Sequence, residues 1–339
     1  KKALGEFVQS LGGTISEDGE VTGGANVEVI TYDAISYTGL LKANKASFGR
    51  ALFPDYHFNK AKTIVSIGAD FLTNWGLSTD YVSDYAENRR PEGDWMSRHF
   101  QFESVVTTSG TSADVRIPIK PSEEGLVVAA LYKYIVGPVA VDVTPSIMSK
   151  TEKVAQELKA SKGKALVVAG KNCEGTQLLV NEINKALGAI GNTVDPSNGV
   201  YVAEGDDTAV EKLVNEVNGG KVDALLLYGV NPVYTLPNGN AFGDSLKKIN
   251  LTVSFSQFAD ETASKCQFVC PDNHFMESWN DYQIKDNHYA IAQPVIRPLY
   301  DTAQAQETFL VWAGKAKRGG KDSTVYYNYI KSSFAGDWN

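Results

Sequence analysis

Twice along this chain an unbroken apolar run stops at a glycine and gives way to a turn. The first is Lys62-Thr63-Ile64-Val65-Ser66-Ile67-Gly68-Ala69-Asp70-Phe71 and the second Asp223-Ala224-Leu225-Leu226-Leu227-Tyr228-Gly229-Val230-Asn231-Pro232. A short apolar run bounded by turn residues reads as a strand buried on both faces, the habit of parallel sheets covered by helices. Between and after these runs, strand patterns alternate with helical ones. In the first part, strands are predicted at Val27–Thr31, Lys62–Ile67, Phe100–Val106 and Asp114–Ile119. Helices are predicted at Ala34–Ala46, Asp80–Asn88 and Gly125–Ile135, the last opened by Ser122-Glu123-Glu124 with acidic residues in its first turn. The second part gives helix Ser149–Ala160, strand Lys164–Ala169, helices Gly175–Leu187 and Thr208–Val217, strand Asp223–Tyr228, helix Ala241–Ile249 and strand Leu251–Phe255. Past Pro271 the alternation gives way to a polar, aromatic-rich loop and a helix at Ala303–Ala313.

This order predicts an α/β protein of two related dinucleotide-binding-like lobes, with mostly parallel sheets flanked by helices. The expected organisation is a first lobe over 1–142, a second over 143–270, and a loop-rich, helical extension of the second over 271–339. The two glycine turns lie roughly 160 residues apart and would face a shared crevice, because ligands of open α/β sheets sit beyond the carboxyl ends of the strands. Backbone amides freed by such turns can approach a phosphate. The amide of Asn231 could bond a base edge or a ribose, or simply brace its own turn.

Composition narrows the options. A net charge of −8 and a pI near 5.2 leave no basic stripe for nucleic acid. No apolar run approaches the roughly 20 residues that cross a bilayer. Cys173, Cys266 and Cys270 are too few for an iron–sulfur cluster, and the last two are expected to face a buried strand as small apolar residues. His57, His99, His274 and His288 lack ligand spacing and are expected at the surface or in loops, so no metal site is predicted. There is no P-loop, HExxH helix or nucleophile elbow, and no residue is assigned to catalysis. The stretch His274–Gln283 reads as packing, against a partner or within its lobe, with Trp279 and Tyr282 as anchors. Glu123-Glu124 and Asp206-Asp207 read as solvated helix starts. The opening Lys1-Lys2-Ala3-Leu4-Gly5-Glu6-Phe7 starts inside a helical pattern, as expected of a piece of a longer polypeptide.

Several segments, in order, carry a family likeness. They include Tyr32–Tyr37, Ala43–Arg50, Gly68–Trp75, Tyr228–Tyr234, Asp260–Ala263, Glu277–Trp279 and Gln293–Leu299. Together they resemble the molybdopterin oxidoreductase superfamily over nearly the whole chain, and within it the large iron–sulfur subunit of alternative complex III. Active members of that superfamily hold a molybdopterin guanine dinucleotide between the lobes. Their first lobe typically carries Gly-x-Asn-Pro, then Asp-Pro-Arg, then Pro-Gly-Thr-Asp. Here the matching positions are Gly68-Ala69-Asp70-Phe71, Glu103-Ser104-Val105 and Pro121-Ser122-Glu123-Glu124, while the second lobe keeps Gly229-Val230-Asn231-Pro232.

The crevice marked by Gly68, Asp70, Glu103, Pro121, Gly229, Asn231 and Pro232 is therefore expected to be vestigial, its molybdopterin lost. The resemblance implies iron–sulfur clusters elsewhere in the subunit, haem c in a multihaem cytochrome partner, and quinol-binding integral membrane subunits. It also implies the periplasmic side of the bacterial inner membrane, with electrons passing from quinol to cytochrome c or a terminal oxidase. Two alternatives stand beside this reading: a fragment of an active molybdopterin guanine dinucleotide enzyme acting on a small substrate, and a stand-alone nucleotide-binding α/β protein.

Overall fold

The computed structural model describes residues 1–15, 21–24, 26–320 and 323–334. They form two compact units: an inner unit of Ile35–Gly205 with Ile284–His288, and an outer unit of Lys1–Ala34, Asp206–Gln283 and Tyr289–Asn339.

The inner unit is built on a four-stranded parallel sheet in the order Val115–Pro118, Arg98–Glu103, Thr63–Ile67, Ala165–Ala169. Every residue of Thr63–Ile67 and of Ala165–Ala169 is buried, as their unbroken apolar runs require. Alternation along the strands feeds two cores. Val65, Ile67, Phe100 and Phe102 pack under the helices Glu124–Ile135, Pro145–Ala160 and Glu174–Ala186 through Val127, Leu131, Leu158 and Ile183. Ile64, Leu166 and Val168 face the other way, onto Leu40 and Leu41 of helix Thr38–Phe48 and an aromatic group that includes Phe53, Phe58, Phe71 and Tyr81. A second sheet pairs Phe53–Tyr56 antiparallel with Val194–Val200, and Lys285 pairs with Val200 at its other edge. Residues 284–288 are fixed there by charge. Lys285 bonds Asp55 at 3.0 Å and Asp80 at 2.7 Å, and Arg50 grips Asp286. The Arg50 hydrogen bonds, joined by those from Gly199 N–H and Tyr201, hold the Asp286 carboxyl down at about 2.

The outer unit carries a three-stranded parallel sheet with Leu251–Ser254 central between Ala224–Leu227 and Phe268–Val269. Phe242, Leu246 and Ile249 fill one of its cores. In another, helix Lys2–Ser10 packs on helix Ala305–Trp312, with Phe7 stacked on Phe309 at 5.7 Å between ring centres.

The α/β class and most strands and helices fall where the pattern puts them, with differences that have physical causes. The expected boundary at 142/143 lies inside the inner unit. The strand Ala165–Ala169 needs a partner on its hydrogen-bonding edge and finds it in Thr63–Ile67. Residues 1–34 belong with the C-terminal part, because the apolar face of Lys2–Ser10 is buried on Ala305–Trp312. Val27–Thr31 makes only an isolated bridge through Val27 to Gly24. The polar loop past Pro271 contains two strands, Asn280–Lys285 and His288–Ala292, joined by Asp286-Asn287, with Asn287 in the left-handed region at φ 61°. Cys266 and Cys270 are half-buried and flank an exposed short strand, Phe268–Val269, rather than facing a buried one.

His99 is also not at the surface. It sits fully buried in the strand Arg98–Glu103, against Phe71 and Tyr85. Burial pushes its imidazole from the usual 6.5 down to about 4. Between those pH values the unfolded chain takes up a proton that the folded chain refuses, so stability falls as the medium is acidified through that window. Acid titration of unfolding free energy should show a loss of about 3 kcal/mol from this residue. The loss should be complete near pH 4 and removed in His99→Gln.

Candidate functional site

The inner glycine turn is built from its neighbours. Gly68 has φ 66°, and its N–H donates to the Phe102 carbonyl at 2.8 Å. A β-carbon there would lie 2.8 Å from Oε1 of Glu124, whose mobile end could give way, so it is the backbone shape that requires glycine. Glu124, expected on a solvated helix start, instead leans over this turn from the first turn of helix Glu124–Ile135. Partial burial raises its carboxyl above the usual range, with Lys171 pulling the other way.

Asp70 and Phe71, at the positions where the resembled superfamily typically has Asn-Pro, both point into the fold. Phe71 is fully buried and stacks on Phe58 at 4.3 Å. The Asp70 Oδ1 accepts from the N–H and the hydroxyl of Ser109, at 2.9 and 2.7 Å. The Asp70 carbonyl accepts the N–H groups of Thr73, Asn74 and Trp75 at 3.1 Å each. Glu103 is 2% exposed. Its Oε1 takes Arg116 Nε at 2.5 Å and its Oε2 the Thr107 hydroxyl at 2.6 Å. Gly110 makes room for it, since a β-carbon there would fall 1.8 Å from Glu103 Oε1. The Glu103 carboxylate is thus committed to an internal ion pair. Pro121 is exposed at the start of a single helical turn, Pro121–Glu123. Asp70, Glu103, Glu124 and Gly68 thus gather at the carboxyl end of one sheet.

One neighbour escaped the sequence reading. Cys173 is exposed at the N-terminus of helix Glu174–Ala186, where hydrogen bonds from Thr176 lower its thiol. Its backbone lies against Gly39, and nothing in its spacing from the other cysteines announces that placement.

In the outer unit, Gly229 repeats the φ of 66°, with open space where a β-carbon would point. Pro232 opens a short helix, Pro232–Thr235. Asn231 is neither free nor braced on its own backbone through its side chain. Its Nδ2 donates to Glu261 at 2.8 Å and its Oδ1 accepts from the Thr262 hydroxyl at 2.7 Å. Tyr228 beside it takes a hydrogen bond from Gln306 at 2.9 Å, and burial pushes its phenol up to about 12. Trp279, expected as a packing anchor, meets Tyr327 at 4.7 Å between ring centres, whereas Tyr282 stays half exposed. Among the described residues no cluster of His, Cys, Asp or Glu could hold a metal ion.

Chemically, the inner turn is a poor seat for a pyrophosphate. Two unit charges about 4 Å apart repel by about 1 kcal/mol in water and several times that in a drier cleft. Here carboxylates predominate: the guanidinium of Arg116 is committed to Glu103, and the charge of Lys171 acts on Glu124.

Comparison with solved structures places the fold. Acetylene hydratase from Pelobacter acetylenicus matches 83% of this chain and 51% of its own, with a TM-score of 0.60 at 12% identity. The formyltransferase/hydrolase complex of Methylorubrum extorquens with methylofuran matches 93% of this chain and 88% of its own, with a TM-score of 0.57 at 11% identity. At these identities the likeness to both is one of fold, parallel sheets flanked by helices. In sequence the chain is similar to the menaquinone reductase, molybdopterin-binding-like subunit, of Nitratidesulfovibrio vulgaris, at 26% identity over 304 residues. That match takes in 77% of this chain and 44% of the relative, so the chain spans less than half of that protein's length. No family profile matches the chain.

If the side chain of Asp70 serves the fold, its oxygen matters and its charge does not. Asp70→Asn should leave unfolding free energy within about 0.5 kcal/mol of the parent, and Asp70→Ala should lose about 2 kcal/mol by stranding the Ser109 donors. Glu103→Gln should cost about 2 kcal/mol, because it leaves Arg116 without its counter-charge. Chemical denaturation of the three variants measures all of this.

Proposed function

We propose that this chain is a molybdopterin-oxidoreductase-like domain that no longer holds molybdopterin. It would support assembly and electron transfer within a quinone-linked respiratory complex of the membrane. The observation that carries the reading is the inner turn. Asp70, Glu103 and Glu124 stand where a phosphate-binding turn needs donors, and the first two are tied to Ser109, Arg116 and Thr107. The relative's name, a menaquinone reductase subunit described as molybdopterin-binding-like, supports the coarser part of the proposal. The finer part extends it through the resemblance to alternative complex III. There, iron–sulfur clusters would lie in other parts of the subunit, and a multihaem cytochrome c and quinol-binding membrane subunits would be its neighbours on the periplasmic side. Among the described residues no helix is long and apolar enough to cross a membrane, so contact with the bilayer would fall to those partners.

One observation favours a second reading, an active molybdenum enzyme of which this is a part: the outer turn keeps Gly229-x-Asn231-Pro232. Elemental and pterin analysis of the complex purified from its native membrane separates the two. Molybdenum, tungsten and pterin should be far below stoichiometric. One equivalent of metal with its pterin would overturn the cofactor-free reading.

A further inference from the structure

The inner unit contains a buried phenol paired with a neutral base, a feature with no place in the reading above. Tyr85 lies on helix Ser78–Glu87, and its hydroxyl is 3.2 Å from Nδ1 of His99. The hydrogen-bond network fixes which way that bond runs. Gln101 Nε2 donates to the Ala69 carbonyl at 3.4 Å, which turns its Oε1 toward His99 Nε2 at 3.1 Å. Nε2 must then carry the imidazole proton, leaving Nδ1 as an acceptor. The Tyr85 hydroxyl has a single proton, and the Ser112 carbonyl, which accepts from it at 3.0 Å, shares that proton with Nδ1. Of the two acceptors only the imidazole can take the proton away.

The surroundings make this pair the end of a chain of aromatic rings. Trp75 and Tyr81 are 6.2 Å apart between ring centres, and Tyr85 follows Tyr81 by one turn of the same helix. Phe58 and Phe71 fill the interval, with centres 5.0 Å from Tyr81, 4.3 Å from each other and 5.6 Å from Tyr85. Trp75 and Tyr81 are buried, and among the described residues the Trp75 Nε1 and the Tyr81 hydroxyl have no hydrogen-bond partner. Neither could shed a proton on losing an electron. Tyr85 could.

We propose that Tyr85 and His99 form a redox site at which one-electron oxidation of this unit comes to rest. The oxidant is of the outer-sphere, one-electron class: a metal complex in the higher of two oxidation states, or a peroxide-derived radical. It takes one electron from the aromatic chain and is itself reduced by one. The electron deficit passes from Trp75 through Tyr81 to Tyr85. There the phenolic O–H bond breaks and the proton forms a bond to His99 Nδ1, giving a neutral phenoxyl beside an imidazolium. One electron from a reductant of the thiol or ascorbate class, with return of the same proton, restores both residues. The charges of Asp114, whose Oδ2 accepts the backbone N–H of His99 at 2.7 Å, and of Glu103 favour the imidazolium. Burial is the main force against it, and Arg89, itself paired with Asp114 at 2.7 Å, adds to that. The proton transfers because a phenol that has lost an electron is a far stronger acid than the imidazolium. The site would store or divert oxidising equivalents, sparing exposed side chains.

The test is flash–quench oxidation of the full chain with tris(bipyridyl)ruthenium(III), read by electron paramagnetic resonance and transient absorption. The parent should give a tyrosyl signal that forms more slowly in D2O than in H2O. Tyr85→Phe, which removes only the hydroxyl, should lose that signal, while Tyr234→Phe at an exposed position keeps it. His99→Gln, which offers an acceptor unable to take the proton, should lose the long-lived radical. Trp75→Phe should lower its yield. A tyrosyl signal undiminished in Tyr85→Phe, or a formation rate equal in the two solvents, would overturn the assignment. The solvent comparison needs only the parent chain, so it stands even if a variant fails to fold.

Discussion

The ring of Phe71 sets the course of the chain just after its first glycine turn. A phenylalanine stacked on Phe58 and sealed from solvent must be anchored to the sheet's face, so the chain leaving Gly68 is drawn inward. A proline at this position would offer no such ring to bury. With Phe71 held, Asp70 is carried onto Ser109, and Ser109 in turn caps the Leu72 N–H at 3.1 Å. The loop that supplies Ser109 also supplies Thr107 and Gly110, which enclose Glu103. One aromatic contact thus organises the whole carboxyl edge of the inner sheet around internal hydrogen bonds.

On the proposed reading, that edge would let a nucleotide-binding outline persist without its chemistry. A phosphate site offers backbone N–H groups and positive charge. This one offers carboxylates, two of them already satisfied by partners inside the unit. The outer turn took another path: the sequence Gly229-Val230-Asn231-Pro232 is retained, but both ends of the Asn231 amide are engaged by Glu261 and Thr262. An intact motif and a spoken-for side chain coexist there. Retention of glycine at both turns then follows from backbone geometry alone, since each holds φ at 66°.

Much of the fold was legible because fully buried strands leave an unmistakable trace in sequence. Thr63–Ile67, Ala165–Ala169 and Leu251–Ser254 all appear as short apolar runs bounded by turns. What the chain hides is pairing at a distance. Nothing in Ala165–Ala169 says that it docks on Thr63–Ile67 rather than founding a new sheet, so the boundary drawn at 142 fell within a unit. Half-exposed strands such as Asn280–Lys285 carry little apolar signal and read as loop. The site was legible as a list of departures from a family pattern. Its physical content was not: that Glu124 leans over Gly68, that Glu103 meets Arg116 and that His99 is buried all depend on tertiary packing.

The central claim is that the first glycine turn has exchanged ligand binding for internal bonding. It is met most directly by thermal unfolding of the protein in the presence of guanosine diphosphate, the moiety that a guanine dinucleotide site would grip. A ligand bound to the folded state alone raises the melting temperature as its concentration passes the dissociation constant. The account predicts a melting temperature unmoved by the nucleotide up to millimolar concentration. A saturable rise at micromolar nucleotide would contradict it.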